Sequence, residues 1–194
     1  MTGELLAIFV SALLINNFTL TYFLGLCPFF GVSQRVDTAL RLGLANLFVM
    51  VITSLAAWAL ERFVLVHAPY LRLIAFIVVI ASTVQFVEMA LRKLSPALFR
   101  ALGIYLPLIT TNCAILALAL FQTSRAYGLL QGLAFAIGAG LGLTLALVLM
   151  AGLREEAELS DVPALLRGTA FSFLLAGTLS LAFMGFAGLL SGGA

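Results

Sequence analysis

Six stretches of this chain, at roughly residues 5–32, 38–60, 71–90, 101–121, 127–150 and 168–190, run for about twenty residues or more with almost no charge. A helix of that length crosses the roughly 30 Å hydrocarbon core of a bilayer. Only 9% of the 194 residues are charged and 63% are hydrophobic, whereas a soluble domain carries roughly 25% charged residues. Too few solvated side chains are present to cover a water-facing surface, so lipid must be the solvent. The expectation is an all-α membrane protein of six transmembrane helices, with residues 1–194 as a single integral membrane domain. The formal net charge of +2, without any basic tract, argues against a nucleic-acid partner. The opening MTGELLAIFV has Glu4 where a signal peptide has a positive region, so it is expected to be a retained first span.

The charges collect at the junctions. Arg35, Arg41, Arg92, Lys93, Arg100, Arg154 and Arg167 flank the odd-numbered connections, and Arg62, Arg72 and Arg125 flank the even-numbered ones. Positive residues stay on the cytoplasmic side of an inner membrane. Seven against three therefore places both termini in the periplasm of a bacterial cell. Residues Arg154 to Arg167 form the one long polar connection, and Ser160-Asp161 ahead of Pro163 predicts a short surface helix there.

The layout also reads as three spans plus three. Cys27 and Cys113 lie 86 residues apart, and the same offset carries the second span onto the fifth. An odd number of helices per half inverts the second half, giving inverted repeats at about 1–95 and 96–194. The first span is about 28 residues long, or about 42 Å as continuous helix, so it must tilt or break. Candidate break points are Asn16-Asn17, Gly25, Cys27-Pro28 and Gly31, because proline removes a backbone donor and clashes one turn back. The fourth span carries a similar interruption, Gly103 to Leu116, in which Pro107 frees a carbonyl and Thr110, Thr111 and Asn112 stand beside Cys113. Broken segments entering from opposite faces could bring the two thiols into one buried site.

Three readings compete for the cysteines. A free thiol packs as a small hydrophobe. A disulfide is opposed by the distance of embedded thiols from periplasmic oxidation machinery. A metal or iron–sulfur site gains weight beside them because the only two cysteines both neighbour helix-breaking residues, whose freed amides can hydrogen-bond sulfur. Two thiolates do not complete a cluster that takes four, and His67 sits in a loop. A cluster would therefore need two more cysteines from a partner, at an oligomeric interface.

Other polar residues have plainer accounts. Glu88 fits a helix-end pair with Arg92, four residues on, although an acid within a span can also relay ions. Asn46 and Gln85 fit interhelical hydrogen bonds, and Gly128, Gly132, Gly138, Gly140 and Gly142 fit close packing of the fifth helix. The GAGLG run from Gly138 to Gly142 lacks the preceding strand of a nucleotide-binding loop, so this chain alone is not expected to bind NADH.

At the cysteines the sequence becomes family-like. NNF (Asn16 to Phe18), FLGLCPFFGVS (Phe23 to Ser33), LGIYLPLITTNCA (Leu102 to Ala114), DVP (Asp161 to Pro163), Arg167-Gly168 and LAFMGFAGL from Leu181 resemble the A-subunit family of the Rnf (Rsx) electron-transport complex. The resemblance covers essentially the whole chain. The related E subunit of the sodium-pumping NADH:quinone reductase has a first motif nearer ENxAL…GMCTF, so Asn16-Asn17 and Cys27-Pro28 favour Rnf. The resemblance implies six helices in two inverted halves, the first and fourth broken. It also implies an intramembrane [2Fe–2S] centre shared with a homologous E subunit of opposite topology. By that resemblance Cys27 and Cys113 are the ligands, with Thr110, Thr111, Asn112, Gly25 and Pro28 around them. The implied function is electron relay within an ion-translocating ferredoxin:NAD oxidoreductase, between FMN-bearing subunits and a cytoplasmic iron–sulfur subunit. An alternative of another class is a secondary transporter whose cysteines only pack.

The charge bias has a direct consequence. Alkaline phosphatase fused after Ala194 is expected to be active and a fluorescent protein fused there dark; the reverse pattern would invert the topology.

Overall fold

The computed structural model describes residues 2–31, 35–65, 69–94, 109, 112–159 and 169–191. Among these residues the chain is helical and contains no strand. The helices are α1 (Thr2–Val10), α2 (Phe18–Thr21), α3 (Leu26–Gly31), α4 (Val36–Leu60), α5 (Arg72–Leu94), α6 (Cys113–Ser124), α7 (Leu129–Leu159) and α8 (Thr169–Ser191). A wide π-helical turn, Ser11–Ile15, prolongs α1, and another, Glu61–Leu65, prolongs α4. Three stretches are long and apolar enough to cross a membrane: Val36–Phe63, Arg72–Met89 and Leu129–Ala157. Three shorter apolar helices accompany them, Gly3–Ile15, Cys113–Ser124 and Ala170–Gly185. Four of the apolar runs thus become continuous helices close to their expected positions, the first becomes three short helices, and of the fourth only residues 109 and 112–121 are described.

The core is the contact between α4 and α7. Leu42, Asn46, Val49, Met50, Thr53 and Ala57 recur on one face of α4 and are buried. Ala136, Ala139, Leu143, Ala146, Leu147 and Met150 do the same on α7. Lipid chains are as apolar as leucine, so helices in a membrane associate through close packing rather than through escape from the solvent. Here the glycines of α7 supply the closeness. A Cβ on Gly138 would lie 2.7 Å from the Phe9 carbonyl oxygen, and one on Gly142 would lie 2.9 Å from that of Leu13. Gly132 and Gly140 are similarly crowded, by Gln122 and by the backbone of Leu47. Gly128 is not, its nearest neighbour being Gln131 Oε1 at 3.9 Å, so the packing role expected of all five glycines holds for four.

Two boundaries differ from expectation. The fifth helix does not stop at residue 150 but continues through Arg154, Glu155 and Glu156 to Leu159, since arginine, glutamate, alanine and leucine are all good helix formers. That extension is used: Glu155 Oε1 accepts from the Val36 N–H at 3.1 Å, covering an amide at the exposed start of α4. The first and fifth connections therefore lie at the same end of the bundle. The second boundary concerns Pro28, which does not break the first span. It occupies the first turn of α3, where an amide would have no intrahelical partner in any case. The surface helix expected at Ser160-Asp161, the Pro107 segment and His67 lie outside the described residues, as does the side chain of Arg92.

Replacing Gly138 by leucine should drive a side chain into the backbone of α1, a cost of about 1–3 kcal/mol or more. The variant is expected to aggregate on detergent extraction or to melt well below the parent. Gly128→Leu should behave like the parent in the same measurement.

Candidate metal centre

The first helix is stopped by two asparagines. After the π turn, the Asn16 N–H donates to the Ser11 carbonyl at 2.7 Å, and Asn16 Nδ2 donates to Ser11 Oγ at 2.9 Å. Asn17 is extended, at φ −63° and ψ 118°, and its side chain caps α2 by accepting from the Thr19 N–H at 3.1 Å. The amide of the same side chain donates across the bundle to the Gly142 carbonyl of α7 at 2.8 Å. One residue thus ends one helix, starts the next and fastens both to a third.

The second break repeats this construction. Asn112, at φ −71° and ψ 112°, caps α6 by accepting from the Ala114 N–H at 3.1 Å. Its Nδ2 donates to Asn46 Oδ1 on α4 at 3.2 Å. Asn17 and Asn112 are thus built alike, 95 residues apart. Each break fastens to a long helix, Asn17 to α7 and Asn112 to α4.

The two breaks then meet. After the single turn of α2 the chain passes through Phe23 at φ 54° and Gly25 at φ 81°. Its Gly25 N–H donates to Cys113 Sγ at 2.9 Å. A Cβ on Gly25 would sit 3.3 Å from Asn112 Oδ1 and 3.4 Å from the Ala114 Cβ. Only a residue that accepts a left-handed φ and has no side chain can lie this flat on the first turn of α6. Cys27 follows two residues later in the first turn of α3, within about 7 Å along the chain. The structure thus brings Gly25, Cys27, Pro28, Asn112 and Cys113 into one neighbourhood; Thr110 and Thr111 lie outside the described residues.

The carbonyls and amides released by the break are taken up by neighbours, as backbone in an apolar medium requires. Ser180 Oγ on α8 donates to the Leu20 carbonyl at 2.7 Å, and Thr21 Oγ1 to that of Ile15 at 3.3 Å. Phe18 stacks on Phe121 at 5.6 Å and meets Phe135 edge-on at 5.7 Å. At the far end of α3, Arg154 Nη1 donates to the Phe30 carbonyl at 3.2 Å, while Nη2 donates to Ser172 Oγ. This arginine caps the short helix that carries Cys27 and ties it to α7 and α8. In the sequence Arg154 counts only as a topology signal. Its position four residues after an apolar run is the available clue to a second role.

Both cysteines are unpaired thiols. Cys27 is exposed and Cys113 partly so. A cysteine that serves only as a packing hydrophobe is buried, so Cys27 departs from that reading. Cys113 opens a twelve-residue helix, whose N-terminal amides favour negative charge. Asn46 Nδ2, on the residue that holds Asn112, is buried with no partner among the described residues. The Gly25 amide at the Cys113 sulfur suits an anionic, metal-bound thiolate. Among the described residues no group of three or more His, Cys, Asp or Glu side chains is present. The donor set thus fits half of a four-sulfur centre and falls short of a whole one.

Comparison with known proteins agrees with these motifs. The pattern of the Rnf-Nqr subunit, membrane protein, family matches residues 5–190. The chain belongs to that family. It is 56% identical over 191 residues to the A subunit of the ion-translocating oxidoreductase complex of Syntrophotalea carbinolica, covering 97% of this chain and 99% of that one. It is 53% identical over 190 residues to the same subunit of Pseudomonas paraeruginosa, covering 96% and 98%. To that of Shigella flexneri serotype 5b it is 50% identical over 188 residues, covering 96% and 97%. The family is one of membrane proteins, and with its apolar helices this chain is a multi-pass one.

Asn112→Ala removes the cap of α6, worth about 1 kcal/mol, and leaves Asn46 Oδ1 buried and unpaired, at about 1–3 kcal/mol. The melting temperature of the extracted protein should fall clearly. Asn46→Ala in the Asn112→Ala background should lower it little further, because the two residues act as one pair. Additive losses would show that the pair is not coupled.

Proposed function

We propose that this chain is the electron-relay member of an Rnf-type ion-translocating oxidoreductase complex of the bacterial inner membrane. Cys27 and Cys113 supply half the ligands of an intramembrane [2Fe–2S] centre, and a homologous subunit of opposite topology supplies the rest. When bound, the centre supplies one-electron transfer between the FMN-bearing subunits and the cytoplasmic iron–sulfur subunit. The observation that carries this reading is the Gly25 N–H to Cys113 Sγ contact at 2.9 Å, which draws two broken helices together around the only two cysteines of the chain. Relatives 50–56% identical along nearly the full chain are named as members of an ion-translocating oxidoreductase complex, which supports the Rnf assignment over the quinone reductase.

Each residue has a defined task in this reading. Cys27 and Cys113 hold iron from this chain's side. The Gly25 amide donates to the Cys113 sulfur, and the Asn112 cap fixes the turn on which that sulfur sits. Pro28 keeps the Cys27 turn short of amide hydrogens that would compete for partners. Thr110 and Thr111, three and two residues before Cys113, lie outside the described residues, and their role as hydroxyl donors is assigned from the sequence alone. The exposure of Cys27 leaves a face on which a partner can complete the ligand set. The crosswise attachment of Asn17 to α7 and Asn112 to α4 supports two inverted repeats; six spans put both termini on one side, and the seven-to-three bias of Lys and Arg makes that side the periplasm.

Cys27→Ala and Cys113→Ala should each abolish the membrane iron–sulfur signal in electron paramagnetic resonance of the assembled complex, while the helices still insert. The double variant should match either single one, since ligands of one centre cannot be lost twice. If the cysteines only pack, each alanine would cost about 1 kcal/mol or so as a small cavity, the costs would add, and the signal would stay. Asn112→Leu should keep the signal but shift its midpoint potential; an unmoved potential would reduce Asn112 to a packing residue.

A further inference from the structure

Helix α5 buries one face and leaves the other open. Phe76, Ile80, Val84 and Val87 turn inward, whereas Ile74, Val78, Ala81, Ser82, Gln85 and Met89 form one exposed stripe at helical spacing. Gln85 lies inside the apolar stretch Arg72–Met89, four residues or about 6 Å along the axis from its end, where hydrocarbon offers no hydrogen bond. Ser82 and Thr83 need none, because their hydroxyls donate back to the Val78 and Val79 carbonyls at 2.8 and 2.7 Å. Gln85 makes no hydrogen bond among the described residues, although Asn16, Asn17, Asn46, Asn112 and Gln122 all do. A free amide on an outward-facing stripe within an apolar span is a group that a polar side chain of another membrane helix can satisfy.

We propose that this stripe is an interface, at which α5 packs against a transmembrane helix of another subunit that presents a serine, threonine, asparagine or glutamine to Gln85. Ala81 and Ser82 are small, so the two backbones can approach where the amide needs its partner. The flanking Ile74, Val78 and Met89 surround the polar contact with packed apolar side chains and keep it dry. The inference rests on the reading of this chain as part of a membrane complex, and is independent of the cluster.

The test uses the assembled complex. A photo-activatable phenylalanine analogue at Ser82 should crosslink to a membrane segment of a different subunit, identified by mass spectrometry. Gln85→Leu should weaken retention of that subunit during mild purification by about threefold to tenfold, the range for a hydrogen bond between membrane helices. The melting of the chain itself should be unchanged, and Gln85→Asn should restore part of the loss. Adducts only to lipid or to a second copy of this chain, or undiminished retention in Gln85→Leu, would overturn the interface while leaving the complex intact. A parent chain that always extracts without other subunits would overturn the complex reading and the interface together.

Discussion

A helix cannot stop inside a bilayer unless something takes up the amides and carbonyls it releases. Everything distinctive about this chain follows from how it meets that requirement twice. Asn17 and Asn112 each accept from the backbone of the helix they begin and donate to a long helix, α7 and α4 respectively. A purely apolar pair of breaks would leave unpaired backbone at membrane depth and would collapse into continuous helix. The two side-chain amides make the interruptions stable and fix where they lie.

Once the breaks are held, the geometry of the site has little freedom. Gly25 can rest on the start of α6 because it has no side chain and adopts a left-handed φ, and the sulfur of Cys113 is the acceptor waiting for its amide. Cys27 comes to the same neighbourhood by chain connectivity, in a six-residue helix capped by Arg154. Close packing of α7, through Gly138 and Gly142, holds α1 near enough for Asn17 to reach its partner. Packing, capping and site are therefore one construction, and a change in any of them should be felt at the sulfurs.

Much of this is legible in the sequence, and the omissions share a cause. The apolar runs mark the helices because burial in lipid depends on composition alone. The neighbouring cysteines and helix breakers mark the site because both are local features. Pro28 reads as a break and is none, since a proline is disruptive or harmless according to where its helix begins. Here α3 begins at Leu26, just past the left-handed turn at Gly25, and that turn is set by contact with α6. The offset of 86 between the cysteines draws attention to the site, while the similar construction of the asparagine caps at 17 and 112 shows only in their contacts. The contacts of Arg154 with Phe30 and of Gly25 with Cys113 span 124 and 88 residues, and no pattern within one span encodes them. Gln85, expected to make an interhelical hydrogen bond, faces outward from the described helices.

If this chain holds half of an iron–sulfur centre and a partner holds the other half, neither alone can keep the cluster. The most direct measurement is iron and acid-labile sulfide in two preparations, this chain purified alone and the same chain purified with its membrane partners. The chain alone should carry no stable cluster. The assembled preparation should carry about two iron and two sulfide per copy beyond those of its other subunits, as a [2Fe–2S] centre requires, and these should vanish when Cys27 and Cys113 are replaced. An assembled complex that keeps its full iron, sulfide and turnover without both cysteines would contradict the account.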